Sequence, residues 1–170
     1  MAAGVGRIPE DSRANVIGQM SVAQNIAIEH LDQFSSRGYL DRKAIGRHAQ
    51  RLIEEYQIKA SPEDRMRTLS GGNLQKVVLA RVLARKPRVL MVAQPTRGLD
   101  VAATEYVRNK LLEQRAEGAA ILLISEDLDE IMQLSDTIAV LYEGKIMAVM
   151  PATGATPEEL GLLMAGVQQR

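Results

Sequence analysis

The spacing of apolar residues changes character partway along the chain. From Asp41, the residues Ile45, Ala49, Leu52, Ile53 and Tyr56 recur at three- and four-residue steps, which predicts a helix with one apolar stripe. Beyond Gly72, the residues Leu74, Val77, Val78, Leu79, Val82 and Leu83 cover too wide an arc for a surface helix and predict one that is mostly buried. Upstream, SVAQNIAIEHL predicts a short helix capped at Ser21. GVGRIPEDSR reads as the end of a strand entering a loop, because Pro9 cannot donate to a ladder. DQFSSRG reads as a polar connection, and KASPEDRMR as a break with Ser61 and Pro62 placed for a single turn.

Downstream the pattern turns to short, unbroken apolar runs. RVLMVA and AAILLIS predict strands covered on both faces, as in a parallel sheet. A helix over Val101 to Glu117, ended by Gly118, lies between them and makes a βαβ unit whose crossover is expected to be right-handed. DLDEIMQLS predicts another short helix, with Asp127 and Glu130 spaced as a capping pair. DTIAVLYEGKIMAV alternates around Glu143-Gly144 and predicts a hairpin. Thr156, Pro157 and Glu159 then stand as cap, first and third positions of a terminal helix. The first stretch is thus mainly helical and the remainder layered α/β, without repeats.

Composition narrows the class. The chain's 170 residues are enough for a core, which must be aliphatic because aromatics make up only 3%. Lys plus Arg equals Asp plus Glu, 21 against 21, so no global field draws in nucleic acid or an anionic membrane. The absence of cysteine excludes disulfides and thiolate metal sites and is compatible with a reducing compartment. No apolar run approaches the roughly 18 residues of a membrane span, and no secretion signal is expected at the start.

The candidate chemistry begins at TLSGGNLQK, residues 68 to 76, where two glycines stand at a helix start. Unpaired N–H groups there form an anion seat. The loop G-x-x-x-x-G-K-[ST] that grips nucleotide phosphates is missing: Gly144-Lys145 is followed by Ile146, and Ala139 stands where its first glycine would be. His30 and His48 are 18 apart with no adjacent ligand pattern, so no metal site is expected. Ser125 and Asp127 have no histidine nearby to build a triad. Arg81, Arg85, Arg88 and Arg97 read as a solvated surface.

The order LSGGNLQK, RVLMVAQPTRGLD, ILLISEDLDE and DTIAVLYEGKI resembles the second half of the nucleotide-binding domain of ABC transporters, over nearly the whole chain from Val5 to Gly166. AQPTRGLDV and EELGLLMAG are most similar to bacterial importers of simple sugars and nucleosides, in which two such domains are fused; this segment is similar to the second. The resemblance implies a partial P-loop NTPase-like ABC ATPase fold, α/β, whose phosphate loop lies upstream of this chain. It divides the chain into residues 1–72, the Q-loop region and helical subdomain, and residues 73–170, the C-terminal half of the α/β core. Strands missing from such a core would leave an uncovered sheet edge, so some self-association is expected.

The resemblance also assigns roles. Ser70, Gly71, Gly72 and Asn73 match the signature, which closes over the γ-phosphate of ATP held by the partner domain; Asn73 replaces the usual Gln. Asp100 matches the loop between domains, although its position equally suits the N-cap of the helix that follows. Glu10 stands near the Q-loop glutamine, and Val16, Ile17 and Met20 fall where a membrane subunit would dock, a position that suits local packing equally well. The strand at Met91 ordinarily ends in Asp and Glu; here those positions are Ala93 and Gln94, which offer neither a metal-organising carboxylate nor a base for water. The switch histidine corresponds to Glu126, whose carboxylate would repel a γ-phosphate. These positions imply a half-site without catalysis of its own.

The implied assembly uses ATP and Mg²⁺, with neither expected on the isolated fragment and no metal site of its own. Its partners are the upstream nucleotide-binding domain, permease subunits and, indirectly, a solute-binding protein, at the cytoplasmic face of the bacterial inner membrane; no nucleic acid is expected. The alternatives are a soluble ABC-type ATPase acting on nucleic acid or ribosomes, against which the balanced charge and missing coiled-coil insertion speak, and an interaction module without a nucleotide role.

Overall fold

The computed structural model describes residues 4–36 and 38–167, so Arg37 of the expected polar connection lies outside the described residues. The chain packs as two compact units, Met1–Leu122 and Leu123–Arg170. This packing boundary is a different line from the one expected at Gly72, which divides the chain by kind of element.

In the first unit, β1 (Val5–Ile8) runs into a long loop, and α1 (Val22–Ala27) starts at Ser21. The Ser21 hydroxyl accepts from the Gln24 amide and the Gln24 side chain accepts from the Ser21 amide, a reciprocal cap that uses two otherwise orphaned donors. The expected polar connection instead holds a 3₁₀ turn, Ile28–Phe34, and a minimal hairpin of β2 (Ser35–Ser36) and β3 (Tyr39–Leu40). Elements this short carry no periodicity to read. Asp41 caps α2 (Arg42–Glu55), whose stripe buries Ala49, Leu52 and Ile53. A 3₁₀ turn, Met66–Thr68, precedes α3 (Gly71–Leu83), which is buried along most of its length. Then follow β4 (Val89–Ala93), α4 (Val101–Ala116) capped by Asp100, and β5 (Ala120–Ile124), in a sheet of order β1-β4-β5 with β1 and β4 parallel.

The sheet departs from expectation on one face. Gly6, Ile8, Leu90 and Val92 are buried, whereas Val5, Val89 and Met91 on the opposite face are 49%, 39% and 41% exposed. RVLMVA and AAILLIS are apolar on both sides, but α3 supplies one covering layer, α4 buries only Val107 and Leu111, and no residue of β5 is fully buried. Apolar content shows what a strand can bury, and a second layer must exist for it to do so.

On the covered face the backbone of β1 comes very close to α3. A Cβ added to Gly6 would stand 2.8 Å from Val82 Cγ1, 3.0 Å from Pro87 Cγ and 3.1 Å from Leu90 Cδ1. Gly6→Ala is therefore expected to lower stability by about 2 kcal/mol through overpacking. Chemical denaturation checks this, and an unchanged midpoint would mean that α3 yields freely.

The second unit is built on a hairpin. β6 (Thr137–Tyr142) and β7 (Lys145–Pro151) are antiparallel and joined through Glu143 and Gly144, with φ of 46° and 76°. Two consecutive left-handed residues twist the turn to match its strands, and glycine takes the second position without steric cost. Asp127 caps α5 (Leu128–Leu134), and Thr156 caps α6 (Pro157–Met164), as expected. Ile138 and Val140 of β6 pack with Ala155, Leu160 and Leu163, and Leu128, Ile131, Met132 and Met150 close around them.

Candidate functional site at the start of α3

α3 begins where Ser70 turns extended, with φ −63° and ψ 158°, and its hydroxyl oxygen accepts from the Asn73 amide at 3.4 Å and from Asn73 Nδ2 at 3.0 Å. Asn73 Oδ1 in turn accepts from the Lys59 amide at 2.8 Å. The shorter amide at position 73 thus fastens the helix start to the segment before it. Gly71 is exposed and its missing side chain faces open space, so its backbone can be approached from outside. Gly72 lies against α4, where an added Cβ would come within 3.3 Å of Ala103 Cβ. Asp100 accepts from the Ala103 amide at 2.8 Å, so the helix-cap reading of that residue holds and the starts of α3 and α4 lie side by side.

Beside these starts is a cluster that the sequence reading did not single out. Lys76 donates to the Gln57 carbonyl at 3.1 Å and sits 4.2 Å from the Tyr106 ring centroid. Burial and the neighbouring Lys59 pull the Lys76 ammonium below its ordinary pKa, and Asp100 pulls the other way. Tyr106 donates to the Tyr56 carbonyl at 2.8 Å. Burial pushes Tyr106 up to about 12 and Tyr56 further up, so both stay neutral hydroxyls. α2, α3 and α4 are joined here.

The end of β4 and the first residue of the loop after it are the positions where the resemblance implies a catalytic pair. Ala93 has no side-chain donor for a metal, and Gln94 takes a left-handed φ of 46°, its carbonyl accepting from the Arg97 amide at 3.2 Å. A non-glycine residue there is strained, and only the surrounding structure holds it. Glu10 forms an ion pair with Arg97, which brings the loop after β1 against the loop after β4. Glu126 is exposed and belongs to the second unit, two residues past β5. Ser125 accepts from the Asp127 amide at 3.1 Å, an ordinary turn contact.

Two buried polar side chains of α3 complete the arrangement. Gln75 accepts from the Ser12 hydroxyl and donates through Nε2 to the Pro95 carbonyl at 3.0 Å. Arg81 corrects the expectation of a solvated surface: it is 4% exposed, donates to the Asn15 carbonyl at 3.0 Å and pairs with Glu29 at 3.2 Å. Burial disfavours its cation and the Glu29 carboxylate offsets this. The signal was present in the sequence, since Arg81 shares the helical face of Leu74 and Val78, where a polar residue is out of place.

Of the residues at the proposed docking position, Ile17 is 44% exposed while Val16 and Met20 are half-buried. Buried Asn25 holds this loop, accepting from the Ile17 amide at 2.8 Å and donating to the Ile17 carbonyl at 3.1 Å.

His30 and His48 line one cavity of about 480 Å³ with Glu29, Asp32 and Arg85. Among the described residues no group of three or more potential ligands is placed to hold a metal ion. Burial holds both imidazoles below the ordinary 6.5, helped at His30 by Arg85 and at His48 by Arg51. A depressed histidine pKa means that protonation favours the unfolded chain. Stability is then lost as pH falls below 6.5 and the loss is complete below the folded values. A lower urea midpoint is expected on going from neutral pH to about 5, with a smaller drop in the doubly substituted His30→Gln, His48→Gln chain. Identical drops in the two chains would show that these histidines contribute nothing.

A parallel α/β sheet, a helix beginning at Ser-Gly-Gly and Asp-capped helices after each of the next two strands define a partial ABC-type ATPase fold. The ABC transporter family profile matches residues 1–97, and the chain belongs to that family. It is 44% identical, over 95% of its length, to the nucleoside import ATP-binding protein NupA of Lactococcus lactis subsp. cremoris, of which it covers 33%. It is 43% identical, over 98%, to the guanosine import ATP-binding protein NupO of Bacillus subtilis, covering 34%, and 42% identical, over 94%, to the ribose import ATP-binding protein RbsA 2 of Streptomyces avermitilis, covering 32%. The chain therefore spans about a third of the length of the curated relatives it matches. Among solved structures, the post-hydrolysis dimer of the ATP-binding cassette MJ0796 bound to ADP and Pi superposes with a TM-score of 0.71 at 20% identity, over 88% of this chain and 63% of that one. The protein cbiO1 of Clostridium perfringens, part of the transporter complex cbiONQ, gives 0.71 at 21% identity, over 96% and 63%. These likenesses are of fold. Among the described residues no helix is long and apolar enough to cross a membrane.

Proposed function

We propose that this chain is an energy-coupling part of an ABC importer for a simple sugar or nucleoside, and that it donates its signature to ATP held by a partner domain. The names of its relatives support the importer class. The observation that carries the reading is the start of α3, where exposed Gly71 has open space outside it and the unpaired amides of a 13-residue helix emerge. A phosphate brought by a partner fits this start, since glycine lets backbone donors reach it and the helix dipole favours negative charge. The end of β4 offers Mg²⁺ and its water no carboxylate, because Ala93 has no side-chain oxygen and the Gln94 amide cannot accept a proton from water.

On this reading, residues 1–72 form the Q-loop and helical part, with Glu10 at the Q-loop position, and residues 73–170 the C-terminal half of the ATPase core. Asp100 faces the partner domain while capping α4, and Glu126 stands at the switch position. A permease subunit docks on the loop around Ile17, a solute-binding protein acts at one remove, and the assembly works at the cytoplasmic face of the membrane. Calorimetric titration of the chain with Mg²⁺-ATP is expected to give no saturable heat at micromolar protein, because Ser70 to Asn73 act on another domain's nucleotide. Saturable binding by the chain alone would overturn the degenerate half-site.

A further inference from the structure

The loop after β1 is held to the rest of its unit by polar side chains in a row. Glu10 pairs with Arg97, Ser12 bonds Gln75, and the Asn15 carbonyl accepts from Arg81. Two of these grips come from α3, and both originate on side chains only 4% exposed. A helix packed on this scale could have used apolar residues there at no desolvation cost, so the polar pair carries something packing alone does not.

Gln75 is chemically suited to join two segments. The Pro95 carbonyl can only accept, so Nε2 must face it; Oε1 then faces Ser12, and the Ser12 hydroxyl donates. A glutamate at this position would set a carboxylate against the Pro95 carbonyl, and a leucine would leave two polar groups without partners. Gln75 also stands two residues past Asn73, whose amide and side chain are both tied to Ser70. A path of bonded groups therefore runs from Ser12 through Gln75 along one turn of helix to Ser70, and from Asn73 on to the Lys59 amide.

We infer that Gln75 is a positioning residue that passes displacement of the loop at residues 10–17 to the signature at the start of α3, with Arg81 anchoring the far end of the same loop. This rests on the reading of the loop as partner-facing and of Ser70 to Asn73 as phosphate-facing. The loop is bonded to a buried amide whose side chain grows from α3 itself, so displacement of the loop reaches the helix start through the helix backbone between Gln75 and Ser70. The same amide holds the Pro95 carbonyl, so the loop after β4 is drawn into the linkage.

Amide hydrogen exchange on the 170-residue chain, without nucleotide, tests this independently of any ATP site. The reporters are the Leu74 amide, bonded to the Ser70 carbonyl at 2.9 Å, and the Lys59 amide, bonded to Asn73 Oδ1. Ser12→Ala removes the loop's half of the bond and touches nothing at Ser70. It is expected to speed exchange at Leu74 and Lys59 by roughly tenfold while the Ala84 amide at the other end of α3 is unchanged. Ser12→Thr, which keeps the hydroxyl, restores the original rates. Gln75→Leu has the same effect as Ser12→Ala, and the double variant no more than either. Acceleration confined to residues 10–17, or additive effects in the double variant, overturns the linkage. Should Gln75→Leu fail to fold, Ser12→Ala against Ser12→Thr still decides.

Discussion

Leu79→Ala lowers the stability of the first unit by about 3 kcal/mol. Leu79 is fully buried on α3, whose neighbours are α1, α2, α4 and β1. Truncation removes the transfer free energy of the deleted carbons and leaves a cavity that helices on one side and a sheet on the other cannot easily close. Leu112→Ala on α4 is the control, because the same side chain there is 37% exposed and its loss should cost under about 1 kcal/mol. Urea denaturation of the two variants checks the difference. Equal midpoint shifts would mean that α3 is not the centre of the core.

Arg81→Ala is expected to cost about 2–3 kcal/mol, and Arg81→Met markedly less. Alanine deletes a buried side chain, strips the Asn15 carbonyl of its donor and leaves Glu29 with Arg85 alone, at 3.5 Å. Methionine restores most of the volume and removes the desolvated charge, so it recovers the packing part of the loss. Glu29 is 27% exposed and can regain water, which keeps the ion-pair contribution modest. If Arg81→Met were as costly as Arg81→Ala, the polar contacts would dominate. If both were neutral, Arg81 would be a tolerated burial with no stabilising part. Circular dichroism melts of the three chains distinguish these outcomes.

The local chemistry of the chain was readable in advance because caps and turns are decided by residues a few positions apart. Ser21, Asp41, Asp100, Asp127 and Thr156 each cap the helix that follows, and Glu143-Gly144 makes the hairpin turn. The signature resemblance was legible for the same reason, since Ser70, Gly71 and Gly72 all lie at one helix start. The short hairpin at Ser35–Leu40 escaped because two-residue strands leave no period.

What tertiary structure decided are the contacts between residues far apart in sequence. Gln75 meets Ser12 across 63 positions and Arg81 meets Asn15 across 66, and neither spacing can be deduced from pattern. Arg81 read as surface because charge usually seeks water, and only the approach of Asn15 and Glu29 makes its burial affordable. Similarly, apolar runs in β4 and β5 specified strands, while the number of layers around them depended on which helices were present to cover each face. Sequence alone determined where elements begin, because backbone propensity and capping are local. The fold determined which faces and polar groups are buried, because desolvation depends on everything packed around them.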